Sequence, residues 1–388
     1  MIVRHFLNWV RTAPAVERAN ATSALARAYL YSELSADDRI AAEGAMTMLL
    51  DDPSPLVRMA LARALAASAE APPFVITALA AEQPDIAAIV LERSPLLLDS
   101  ELVDAVGQGH PMLQEAIARR LNVPCPVSAA IGEVGTAQAC VTLVENPGAD
   151  IVPFTFDRIA ERHGRIAAVR EALFSRDDLP SPTRHALVVA LSRSLTQFVA
   201  EREWLDAWRA DCVAQEACEK AAVALAASVE RNEIEPLVSH LRESGQLTAG
   251  LILRSLLSGN LALFEAALAE LSGLPAARVA VLIHDRRGSG LDALFRRAGL
   301  PDLTHLAFRA ALAAMAEIGF AGEVGGAARL KRRMVERVLT ACTQGGAGEI
   351  GPLLTLLRRF AAEAAREEAR LYCNELLAAD DEPAQRAA

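Results

Sequence analysis

Lysine is almost missing from this sequence, and aromatic side chains are scarce. Lys220 and Lys331 are the only lysines among 39 basic residues, and Phe, Trp and Tyr make up 4% of 388 residues. Few aromatics disfavour a β-sandwich, which draws on aromatic and β-branched side chains. They equally disfavour a surface that stacks bases. The lysine shortage reads as the compositional bias of a GC-rich genome.

Other absences narrow the field further. Cys125, Cys140, Cys212, Cys218, Cys342 and Cys373 are scattered, with no CxxC and no Cys/His ligand cluster. This pattern fits a reduced cytoplasmic compartment and suggests no metal or other cofactor. HExxH, HxxxH and the Walker spacing are missing as well. No run of about 18 uncharged apolar residues could span a bilayer. The opening "MIVRHFLNWVRTAP" is interrupted by Arg4, His5, Asn8 and Arg11, so it lacks a signal-peptide core and reads as an amphipathic helix with Ile2, Phe6, Trp9 and Val10 on one side. Alternating strand periodicity is absent too; "VAVLIH" (279–284) comes nearest and reads better as helix within "PAARVAVLIHD".

What remains is a chain that is 52% hydrophobic, built largely of Ala, Leu and Val, with a net charge of −10. Small apolar side chains suit closely packed helices. Residues 1–150 carry 10 basic and 18 acidic residues, the remainder 29 and 31. Such a balance repels phosphate backbones and argues against nucleic acid as a partner.

The stretch "DDPSPLVRMALARALA" (51–66) predicts a helix with Ser54 as N-cap and Pro55 at its first position. Leu56, Val57, Ala60, Leu61, Ala64 and Leu65 would form its buried stripe, and only Arg58 and Arg63 are charged. A helix this apolar needs neighbours on several sides. The pattern returns at "EQPDIAAIVLERSPLL" (82–97) and "GHPMLQEAIARRLNV" (109–123). Pro55, Pro84 and Pro111 correspond, as do Val57, Ile86 and Leu113, at offsets of 29 and 27 residues, with a short helix between successive units. A period near 30 with two helices per unit is the signature of an α-solenoid.

"DDPSPLVRMALARALA" resembles a HEAT-type repeat, with Asp52, Val57 and Arg58 in the places of that repeat's Asp and Val–Arg pair. Ala87 and Gln114 stand where the Arg should recur, so an Asp–Arg ladder would be incomplete. More specifically, "VLERSPLLLDSELVDAV", "QEAIARR", "VPCPVSAAI" and "LVENPGADI" resemble the uncharacterised bacterial family catalogued as domain of unknown function 2336, over roughly residues 20–300 and most closely 45–150. The resemblance implies a fold and no activity. The expected architecture is all-α: a HEAT-like α-solenoid of helical hairpins over 1–150, a less regular helical continuation over 151–322, and a C-terminal helical pair with a frayed tail over 323–388.

The sharpest local cluster is "HDRRGSGLDALFRRAGLP" (284–301) followed by "RLKRRM". Residues 278–337 hold 11 basic and 6 acidic side chains in an otherwise acidic chain. Arg286, Arg287, Gly288, Ser289, Gly290, Arg296, Arg297, Lys331, Arg332 and Arg333 are the candidates for an anion or acidic-partner site, because glycines before a helix leave N–H groups for an anion. His284, Asp285 and Ser289 lie too close in sequence for a catalytic triad. Asp37–Asp38, Asp51–Asp52 and Asp177–Asp178 read as helix caps. Trp204, Trp208 and Cys212 share helical spacing and read as a buried face; Glu363, Arg366, Glu367 and Arg370 read as a charged outer one.

Long repeat surfaces hold partners. The expected function is a non-enzymatic, protein-binding scaffold or regulatory adaptor whose partner is another protein or a second copy of this chain. Two alternatives are a nucleic-acid-binding HEAT-like module of the DNA-alkylation-repair type and a small-ligand or nucleotide sensor at the Gly288–Gly290 turn.

Overall fold

The computed structural model describes residues 9–10, 12–284, 289–318, 326–344 and 351–385. They form twenty-one helices and, among the described residues, no strand; one isolated bridge joins Val123 and Ala149. The N-terminal stretch with Ile2 and Phe6 lies outside the described residues. The chain divides into two compact units, Met1–Thr183 and Arg184–Ala388.

The first unit contains α1 (Ala15–Tyr31), α2 (Ala36–Leu50), α3 (Pro55–Leu65), α4 (Pro73–Ala80), α5 (Pro84–Arg93), α6 (Asp99–Gly107), α7 (Pro111–Ala118), α8 (Cys125–Val134), α9 (Ala137–Glu145), α10 (Pro153–His163) and α11 (Ala167–Phe174). Proline opens α3, α4, α5, α7 and α10, where its missing N–H would have no intrahelical partner. The odd-numbered helices form one row, each packed on the next from α1 to α11; α2 packs on α4, and α6 on α8 on α10, in a second row. Val57, Ile86 and Leu113, matched in the repeat, are all buried. The two-row packing runs past residue 150.

Several local expectations need correcting. Leu56 is exposed, because the second residue of α3 points away from both rows. Ser54 occupies the N-cap without a side-chain bond; its own N–H donates to Asp52 Oδ1 instead. Asp52 is no cap for α3 but is gripped by Arg18, whose Nε and Nη2 each lie 2.8 Å from its oxygens. Burial alone would raise the Asp52 pKa, but the Arg18 and Ser54 hydrogen bonds outweigh it and hold the carboxyl below its usual range. Asp178 pairs with Arg176 in the same bidentate way. At the third pair the capping group is the Ser35 hydroxyl, which accepts from Asp38 N.

The repeats are also tied by a ladder that involves no carboxylate. Arg120, just beyond α7, donates to the carbonyls of Leu91 and Ser94 at the end of α5. Asn146, which ends α9, donates to the carbonyls of Ala118, the last residue of α7, and Arg120 beyond it at 2.8 and 2.7 Å. Arg176, beyond α11, donates to the Asn146 carbonyl. In the second row Arg162 of α10 does the same for Gly132 and Gly135 at the end of α8. Helix C-termini leave carbonyls unpaired and attract cations, so each rung satisfies one end with a side chain from the next repeat. Gln114, standing in for the missing Arg, donates to the Val106 carbonyl and accepts from Thr136 N.

The second unit holds nearly all of α12 (Ser181–Glu201), then α13 (Ala207–Ser228), α14 (Arg231–Glu243), α15 (Ala249–Leu257), α16 (Leu261–Ser272), α17 (Ala276–His284), α18 (Ser289–Arg297), α19 (Asp302–Ile318), α20 (Gly326–Gln344) and α21 (Gly351–Gln385). Its centre is α15, packed against α13, α16, α19 and α20, and every residue from Leu251 to Leu257 is buried. Phe264, Phe295 and Phe308 pack beside it with ring centroids 5.3–5.8 Å apart. No single helix among the described residues is long and apolar enough to cross a membrane. The bent pair α16–α17 passes that test only jointly, and it buries Leu263, Phe264, Leu268, Val279 and Ile283 in this core.

Candidate functional site

Arg286, Arg287 and Gly288 lie outside the described residues, and of Ser289 only its place in α18 is described. Gly290 is in the first turn of α18. Arg296 and Arg297 sit in its last turn, and Arg297 Nε donates to the Ser272 carbonyl at the end of α16, 2.8 Å away. On α20, Lys331 Nζ lies 2.8 Å from Glu367 Oε2, while Arg332 is shared between Glu336 and Glu368 at 2.8 Å each. The hydrogen bonds it donates to those two carboxylates hold the Arg332 pKa above its ordinary value. Lys331 and Arg332 are thus paired with α21 and within α20, while Arg296 and Arg333 are exposed. His284 faces Glu265 of α16 at 3.9 Å, and Asp285 lies outside the described residues.

The buried charge is elsewhere. Arg254, only 4% exposed, projects from the middle of α15. Its Nη1 donates to both oxygens of Glu363 on α21 at 2.8 and 3.0 Å, and its Nε to Glu219 of α13 at 3.3 Å. The guanidinium carbon stands 4.3 Å from the centre of the Phe360 ring. Both lysines of the chain converge on Glu363, Lys220 at 3.4 Å and Lys331 at 4.0 Å. Glu363 therefore faces inward, against the charged outer face expected from its spacing. Burial raises the Glu219 pKa, and Arg254 opposes the rise without cancelling it.

The most exposed large side chains of this unit gather where α12 turns into α13. Glu203 N donates to the Ala200 carbonyl and Trp204 N to the Val199 carbonyl, which closes α12 in a Schellman arrangement. Its left-handed position is filled by Glu203, at φ +56°, where Gly is the usual occupant. Trp204 precedes α13, so it does not share a helix face with Trp208 and Cys212. The tryptophans are 64% and 75% exposed, not buried. Phe198 meets Trp204 edge-on at 5.8 Å, and the Arg202 guanidinium lies 4.3 Å from the Phe198 ring centre.

The inner side of the same hairpin borders a cavity of about 310 Å³. His185, Val189 and Ser192 line it from α12, Gln215, Cys218, Glu219 and Ala222 from α13, and Leu241, Thr248 and Leu251 from α14 and the start of α15. The i, i+4, i+7 and i, i+3, i+4, i+7 spacings put each set on one helix face. Gly245, at φ +70°, turns the chain beneath it. His185 is 1% exposed, and neither of its ring nitrogens has a hydrogen-bond partner. Its ring stands edge-on to His240 at 5.4 Å. Burial first, and His240 second, push its pKa down to about 4, so the imidazole is neutral near pH 7. An unmet buried donor or acceptor costs about 1–3 kcal/mol. Sequence inspection passes over His185, since an isolated histidine among Leu, Val and Ala reads as ordinary core, and His240 is 55 positions away.

The profile of the family described as "Uncharacterised protein conserved in bacteria (DUF2336)" matches residues 86–347, and the chain belongs to that family. The match begins later and ends later than the sequence resemblance, taking in α5 to α20. No curated protein and no solved structure matches the chain.

Proposed function

For this member of an uncharacterised bacterial family, we propose a non-enzymatic protein-binding role, as a scaffold or regulatory adaptor in the cytoplasm. The first unit acts as a HEAT-like α-solenoid, a reading supported by its two rows of helices and its carbonyl ladder at offsets of 26–30 residues. The observation that carries the binding role is the exposed aromatic corner of α12–α13. Trp and Arg are the residue types that dominate interface energetics. Here two of the chain's three tryptophans stand in solvent, Trp204 of them beside Phe198 and Arg202. Clustered exposed apolar side chains of this kind mark surfaces that a partner covers.

Photo-crosslinking from position 208 in the native cell tests the proposal. A discrete protein adduct, absent when the crosslinker is moved to the exposed Arg63 of α3, is the expected result. An adduct pattern identical at both positions would overturn it.

A further inference from the structure

We propose that the partner of the α12–α13 corner is a second copy of this chain, the two corners meeting across a two-fold axis. The inference rests on the binding role proposed for the corner and names its occupant. The apolar surface reaches beyond the tryptophans. From Val188 to Glu201 no residue of α12 is buried, although eight of these fourteen are Val, Ala, Leu or Phe. Such a stretch is helical and apolar but has no covering element of its own among the described residues, where a helix of this composition needs one. Leu195 and Phe198, three positions apart, share one of its faces. Just past the end of α12 the Arg202 guanidinium stands 4.3 Å from the Phe198 ring centre and 5.6 Å from that of Trp204. Trp208 and Val213 carry the exposed apolar surface on to α13.

The charges decide the occupant. Arg193, Arg202 and Arg209 are exposed, and so are Glu203 and Asp211. Among the described residues none of these five has an ion-pair partner. Two more exposed carboxylates lie between them, each held only by a neutral group: Glu201 accepts from the Gln197 amide at 2.8 Å, and Asp206 from Arg209 N at 2.9 Å. Open charges of both signs thus alternate around one apolar patch. A nucleic acid, an anionic membrane or an acidic peptide would meet four carboxylates there, and a basic partner three guanidinium groups. The patch complements a surface with the same balance of signs, and its own copy is such a surface. In an isologous contact every Arg–carboxylate pair made across the axis is made twice. Copies that each carry a net charge of −10 also repel at long range, so association in the micromolar range is expected.

The test is sedimentation equilibrium of the full chain from submicromolar to submillimolar concentration. The parent should pass from monomer to dimer and no further, because a two-fold contact closes on itself. Arg202→Glu/Arg209→Glu and, separately, Glu203→Arg/Asp211→Arg should each weaken the dimer at least tenfold, since like charges then face each other across the axis. Mixed in equal amounts, the two variants should form a heterodimer within a few fold of the parent's affinity. Trp204→Ser/Trp208→Ser, which alters no charge, should also weaken the dimer at least tenfold, and melts run below the association range should show all three variants folded. A parent that stays monomeric throughout, a variant that dimerises as the parent does, or a mixture that stays monomeric would overturn the proposal. Crosslinking from position 208 separates this failure from that of the binding role. A monomeric chain that still captures a different, discrete protein would overturn the second copy and leave the corner a binding surface. A monomeric chain that captures nothing would remove both.

Discussion

The two units solve the same problem with opposite means. Both must join short helices whose ends and polar atoms cannot be left bare. The first unit does so with repeated rungs, each a neutral carbonyl met by the side chain of the next repeat, as Asn146 meets Ala118 and Arg120. The second has a rung of that kind in Arg297 and the Ser272 carbonyl, but it centres on Arg254, sunk into its most enclosed helix between Glu219 and Glu363. Distributed rungs can be lost singly, whereas a central charge cannot. A repeat frame therefore tolerates local damage, and the second unit concentrates its vulnerability in one place.

The largest expected effect tests that concentration. Glu363→Ala should cost the second unit about 3–5 kcal/mol, because it leaves Arg254 with only a 3.3 Å contact to Glu219 inside the core. Hydrogen exchange should accelerate through α13, α15, α20 and α21 while α3 to α9 keep their protection. Next comes acid. The His185 pKa is about 4 in the fold against an ordinary 6.5, so the unfolded chain binds the extra proton between those values. Its contribution is complete above about pH 6.5 and is lost as pH falls toward 4, by about 3 kcal/mol. His185→Leu should flatten that limb of a pH-dependent denaturant melt. A wild-type slope retained in the variant would mean that other groups carry it.

Smaller effects probe the ladder and the corner. Arg120→Ala should cost about 1–3 kcal/mol by unpairing the Leu91 and Ser94 carbonyls, and it should loosen α5 and α7 without reaching the second unit. Loss of protection throughout would show that the rungs are not local. Glu203→Gly should stabilise by about 1 kcal/mol, since a non-glycine residue bears a steric cost in the left-handed region. A destabilised melt would mean that the Glu203 side chain carries an offsetting contact.

Legibility in the sequence followed the same division. Pro55, Pro84 and Pro111 announce helix starts because proline acts locally, and Val57, Ile86 and Leu113 announce a packed row because burial recurs with the repeat. Arg120 and Asn146 stayed hidden, since their partners are backbone carbonyls and no complementary residue type marks the spot. Arg254, Lys220 and Lys331 stayed hidden for another reason: Glu363 lies 109, 143 and 32 positions from them, and nothing in a linear charge pattern selects that carboxylate. The basic balance over 278–337 is real in composition. In the fold, α21 brings Glu367 and Glu368 against Lys331 and Arg332, while Arg296 and Arg333 stay exposed. The spacing of Trp208 reads as a buried face although the side chain stands in solvent, for an apolar stripe looks alike in both.

The central claim is that the α12–α13 corner exists for a partner and not for the fold. The decisive measurement is a paired melt and cell-extract capture of Trp204→Ser/Trp208→Ser against the parent chain. Exposed substitutions outside a packed core change stability by about 0.5 kcal/mol or less, so the melts should coincide while the crosslinked partner is lost from the variant. A melting temperature lowered by many degrees, or a partner captured equally by both proteins, would contradict it.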